Sequence, residues 1–84
     1  MAEIIKDVSF TDWGVKITQF LVETGGIQYR AAEIRVHPQY GVMLFLDGIT
    51  NGYESPWNWL AESLDAFHEA QRLALAEYRQ ERGG

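Results

Sequence analysis

Apolar and polar positions alternate through the first half of the chain and recur every three to four residues through the last third. Residues 4–46 alternate in short runs separated by turn residues, with no helix-period stretch long enough to compete. Ile4, Val8 and Phe10 share one face of a first strand. It stops at Thr11-Asp12-Trp13-Gly14, where Asp and Gly supply turn chemistry and Trp13 is expected to cap the edge of the core. A second strand over 15–23 carries Val15, Ile17 and Leu21 on one face and Phe20 and Val22 on the other, then meets the hairpin signal Thr24-Gly25-Gly26. The third strand, 27–36, changes phase partway. Ile27, Tyr29 and Ala31 are in register with one another, while Ala32, Ile34 and Val36 are in the opposite register. One extra residue turns every later side chain to the other face, so a bulge is predicted at Ala31–Ala32.

His37-Pro38-Gln39-Tyr40-Gly41 reads as a connection, because Pro38 lacks a ladder donor and Gly41 can take positive φ. Residues 42–46 are Val, Met, Leu, Phe and Leu without interruption, the pattern of a strand covered on both faces and hence central. Residues 49–54, with Asn51-Gly52, fit either a loop or a short hairpin arm, and are read as loop. Ser55 suits a helix N-cap and Pro56 the first helical position, so one helix is predicted over 55–82 with a flexible tail at 83–84.

On that helix Trp57, Leu60, Ala61, Leu64, Phe67, Gln71, Leu75 and Tyr78 form a broad stripe expected to pack on the sheet. Trp59, Ala66, Ala70 and Leu73 form a second, narrower band bordered by Glu62, Glu69 and Glu77. A helix of that length spans roughly 40 Å, against about 27 Å for an eight-residue strand. The turns from Leu73 to Arg82 are therefore expected to overhang the sheet.

These elements predict a single α+β domain over 1–84, with sheet and loops in 1–54. An antiparallel sheet of about four strands, in β-β-β-β-α order, packs on one long C-terminal helix. The chain has 84 residues, 46% hydrophobic and 23% charged, enough to build one core without a metal or a disulfide, and it has no cysteine. Glu3, Lys6 and Asp7 interrupt the first apolar residues, so neither a signal peptide nor a membrane span is expected there, and a cytoplasmic setting is. The net charge is −5, and no Lys or Arg occurs between Arg35 and Arg72, while Asp47, Glu54, Glu62, Asp65 and Glu69 fall inside that gap. Such a region repels phosphate backbones and anionic lipid and steers basic partners toward itself.

Catalytic chemistry is sparse. The chain offers two histidines and no thiol, short of a convergent nucleophile, base and stabiliser. His37 lies in a turn. His68, between Phe67 and Glu69, reads as a partly buried structural histidine rather than a metal ligand. Glu62, Asp65 and Glu69 project together from the helix and read as solvated carboxylates. Gly25-Gly26 lacks the strand-loop-helix setting of a phosphate loop. No enzyme, metal or cofactor is expected.

The band on the helix carries the functional expectation: a protein-binding domain in which Trp59 is the anchor, Ala66, Ala70 and Leu73 the apolar seam, and Glu62, Glu69 and Glu77 an acidic rim suited to a basic partner. The seam serves either a homodimer or a foreign target on which the domain docks as an inhibitor or adaptor, similar in type to small acidic phage-encoded inhibitors of bacterial defence. The alternative is a single-stranded nucleic-acid-binding dimer. Lys6, Lys16, Arg30 and Arg35 share the strand half with Trp13, Phe20 and Tyr29, and basic and aromatic residues on an open sheet face can stack bases. The order of elements resembles that of single-strand-binding coactivators of the positive-cofactor type, which dimerise through the helix. The overall acidity, with Glu3, Asp7, Asp12, Glu23 and Glu33 interleaved among the bases, opposes that alternative.

Overall fold

The computed structural model describes residues 2–47 and 61–83. Four strands, β1 (Glu3–Phe10), β2 (Lys16–Thr24), β3 (Ile27–His37) and β4 (Gly41–Leu46), form one antiparallel sheet in the order β1-β2-β3-β4. A single helix, α1 (Ala61–Gly83), packs across one face, giving the α+β arrangement that the alternation predicts. None of the described helix is long and apolar enough to cross a membrane.

Local chemistry closes the hairpins. Thr11 and Val15 bracket the first turn: the Thr11 N–H donates to the Val15 carbonyl at 3.0 Å, and the Val15 N–H donates to Thr11 Oγ1 at 3.1 Å. Gly25 and Gly26, with φ of 60° and 79°, occupy the two central positions of the second turn, where a side chain would be strained and the twist of the flanking strands is matched. The predicted bulge is present. Phe20 pairs with Ala32 but Leu21 pairs with Arg30, which leaves Ala31 as the extra residue. Its consequence is that both Ala31 and Ala32 are buried.

The core lies between the sheet and α1. Phe20, Val22, Ala31, Ala32 and Ile34 meet Phe67, Ala70 and Ala74, with Ile4, Val36, Val42, Leu44 and Tyr78 packed around them. Burying Phe67 and Ile34 contributes on the order of 1.5–3 kcal/mol each. Alanine on both sides lets the helix backbone approach the sheet closely, and Ser63, also buried, shares a hydrogen bond of 3.2 Å with Thr24. α1 thus starts its described course near the β2–β3 turn and ends where Glu81 pairs with Lys16 at the start of β2.

Four expectations are corrected. The helix is rotated from the stripe of large side chains: Ala70, assigned to the outer band, is fully buried, whereas Leu64 and Leu75 are only half-buried. Close packing against Ala31 and Ala32 favours small residues at the contact, so bulk alone misjudged the phase. β4 is an edge strand rather than a central one, with Met43, Phe45 and Leu46 exposed. The central strands are β2 and β3. Trp13 does not cap the core but stands 87% exposed. The C-terminal turns do not stand clear of the strands, because Glu77 and Glu81 pair with Lys6 and Lys16. The Ser55 cap, the 49–54 loop, Trp57, Trp59 and Leu60 lie outside the described residues, as do the side chains of Ala61 and Glu62.

Candidate functional site

α1 lies over β2, β3 and β4 and touches β1 least. A helix is about 10 Å across and strands stand about 4.8 Å apart, so one helix covers two or three strands and leaves the fourth bare. Here the bare strand is β1. Ile4, Lys6, Val8 and Phe10 pair with Val22, Phe20, Thr18 and Lys16 and so share the helix-side face. Beyond the reach of α1, Val8 is 45% and Phe10 70% exposed.

Between β1 and α1 runs a groove of about 470 Å³, walled by Ile4, Lys6 and Phe20 from the sheet and Leu73, Ala76, Glu77 and Gln80 from the helix. Lys6 crosses it to pair with Glu77, and its Nζ lies 5.9 Å from the centre of the Phe20 ring. Leu73 remains exposed on the helix wall. Val8 and Phe10 extend the apolar strip along β1, and Trp13 stands in the turn that follows. Aromatic side chains held on a hairpin, with large area and few rotatable bonds, are the usual anchors of protein interfaces.

The flank is acidic. Its two lysines are neutralised, Lys6 by Glu77 and Lys16 by Glu81 at 3.6 Å. Glu3 and Asp7, which project from the other face of β1, and Asp12 in its turn have no ion-pair partner among the described residues, which leaves net negative charge around the β1 edge.

The opposite face of the sheet is organised by one carboxylate. Glu33, 3% exposed, accepts hydrogen bonds from Gln19 at 3.1 Å and from Arg30 at 3.0 Å, and pairs with Arg35. Arg30 also holds Asp47 with two bonds, Nε at 2.8 Å and NH2 at 2.9 Å, and Arg35 covers the Phe45 ring at 4.8 Å. Burial pushes the Glu33 carboxyl up, but the hydrogen bonds from Gln19 and Arg35 and the charges of Arg35 and Arg30 outweigh it and hold the group below its ordinary value. The hydrogen bond to Asp47 raises the Arg30 guanidinium above its ordinary value.

The residues of the expected helix surface are therefore split. Leu73 and Glu77 line the groove, Ala66 is half-buried against the core, Ala70 is inside it, and Glu69 is held on the helix by Arg72, with Nε to Oε1 at 2.8 Å. Trp59 and the Glu62 side chain lie outside the described residues. The nucleic-acid candidates on the strands do not share a surface. Lys6, Lys16, Phe20 and Tyr29 are on the helix side, with Phe20 buried, whereas Arg30 and Arg35 are on the opposite face. All four bases already have carboxylate partners.

His68 is exposed, with its ring edge-on to Phe67 at 6.1 Å, rather than partly buried. His37 Nδ1 accepts the N–H groups of Gln39 and Tyr40, each at 3.0 Å, and so shapes the β3–β4 turn. Among the described residues no group of three or more His, Cys, Asp or Glu side chains could hold a metal ion. In sequence Val8 and Phe10 are only grouped with Ile4 on one face of the first strand; the signal that they stay uncovered is the shortage of helix to cover four strands. No protein-family model, curated protein or solved structure matches the chain.

Proposed function

We propose that this chain is a non-enzymatic protein-binding domain that docks its partner on the flank formed by β1 and α1. The observation that carries the reading is the apolar strip left bare beside the groove, Val8, Phe10 and Leu73, on an edge strand whose other face carries Glu3 and Asp7. A partner segment that places apolar side chains in the groove and wraps the β1 edge, bringing Lys or Arg to Glu3 and Asp7 on its other face and to Asp12 in the turn, matches that surface in shape and sign. Leu73 and Glu77 keep the helix in this reading, while β1 supplies the larger share of exposed apolar area.

The test is paired. A photo-crosslinking amino acid placed at Phe10, and separately at Gln39 as a control, is irradiated in extract of the native host. The expected result is one protein captured from position 10, not from 39, and lost when Leu73→Glu is added. Equal capture from both positions, or capture indifferent to Leu73→Glu, would sink the reading.

A further inference from the structure

The two edges of the sheet are protected very differently. β1 carries Glu3, Lys6 and Asp7, and antiparallel pairings that keep most of its length in register set Lys6 against Lys6 or Asp7 against Asp7 of a second copy. β4 carries Gly, Val, Met, Leu, Phe and Leu, with no charge and no proline, the devices by which edge strands ordinarily avoid pairing. Among the described residues β4 has a strand neighbour on one side only.

The hydrogen-bonding phase of that edge is determined by one contact. The Asp47 N–H donates to the Ala31 carbonyl at 2.9 Å, so Asp47 faces β3. By alternation Phe45, Met43 and Gly41 face β3 as well, and the N–H and C=O groups of Val42, Leu44 and Leu46 point outward. We infer that this outward edge pairs with the same edge of a second copy, antiparallel about a two-fold axis at Leu44.

In that register Leu44 meets Leu44, Val42 meets Leu46, and every outward backbone group of the three residues has a partner. Met43 falls opposite Phe45 on the open face, a sulfur-aromatic contact, with Phe45 braced by Arg35. Asp47 falls opposite Gly41, so no like charges meet across the seam. The pairing is isologous and closed. It makes one sheet of eight strands with both helices on the same side and the two β1 edges outermost, which leaves both groove flanks free. The inference is independent of the partner proposed for those flanks.

Light scattering over a dilution series, with amide hydrogen exchange on the same samples, tests it. The wild type is expected at twice the 9.6 kDa chain mass, with the amides of Val42, Leu44 and Leu46 protected. Leu46→Pro removes an outward N–H that the monomer does not use, and Leu46→Lys adds a charge at a 53% exposed site. Each is expected to weaken the dimer by about tenfold or more while the monomer stays folded by circular dichroism. Both copies carry −5, so added salt should tighten the wild-type dimer. A monomer at every concentration overturns the inference. So does a dimer that survives both Leu46 variants, or one whose β4 amides exchange freely.

Discussion

Gln71 of α1 donates its side-chain amide to the carbonyl of Ala31, the extra residue of the β3 bulge, at 3.0 Å, and to the carbonyl of Asp47 at 2.6 Å. One side chain thus ties the helix to the irregular point of a central strand and to the end of the edge strand. The Ala31 carbonyl already accepts the Asp47 N–H across β3 and β4, and the Gln71 amide takes its second acceptor position.

Gln71→Ala should destabilise the domain by about 1–2 kcal/mol, since the Ala31 carbonyl keeps the Asp47 N–H as a second partner. Gln71→Glu should cost more, because a carboxylate can donate to neither carbonyl and is repelled by both. Urea denaturation of the two variants checks the order, and an equal or smaller loss for Glu would contradict it.

Glu33 gives a dependence on pH. Its carboxyl is held below the ordinary value of 4.5, so ionisation stabilises the fold above that value and the stabilisation is lost as pH falls through the lower folded value. Glu33→Gln abolishes the ionisation. The stability difference between wild type and variant should be largest near neutrality and shrink below about pH 4.5. Thermal melts at pH 7 and pH 3.5 read the trend.

The rotation of α1 is checked by paired substitutions. Ala70→Leu, which adds bulk to a fully buried site, should cost about 1–3 kcal/mol. Leu73→Gln, at a 37% exposed position on the groove wall, should stay within roughly 1 kcal/mol of wild type. Comparable losses at both would mean that the helix presents a different face to the sheet.

Trp13 should be dispensable for folding. Because it is 87% exposed, Trp13→Ser is expected to change stability by no more than about 0.5 kcal/mol. With Trp57 and Trp59 replaced by Phe, the remaining emission should be red-shifted and readily quenched by acrylamide. A blue-shifted, protected Trp13 would point to burial in an assembly.

Much of this architecture is visible in periodicity. The four strands, their turns and the bulge at Ala31 follow from alternation and its single change of phase, because side-chain direction along a strand is a strictly local property. The groove flank was legible only in part: Leu73 and Glu77 were singled out, Val8 and Phe10 were not. Whether an apolar residue is covered depends on which element reaches it, and no local pattern records that reach.

The helix shows the same division. Its apolar spacing is written in the chain, but its rotation is decided by Ala31 and Ala32, brought side by side beneath it by the bulge. β4 reads as a buried central strand because an unbroken apolar run is the same in either place. Hairpin connections then fix the strand order, and with it the edge on which that run stands. The sequence by itself determined the elements, their order and the acidic, cysteine-free surface. The tertiary structure alone decided which faces meet, since coverage is a competition for limited area among parts distant along the chain.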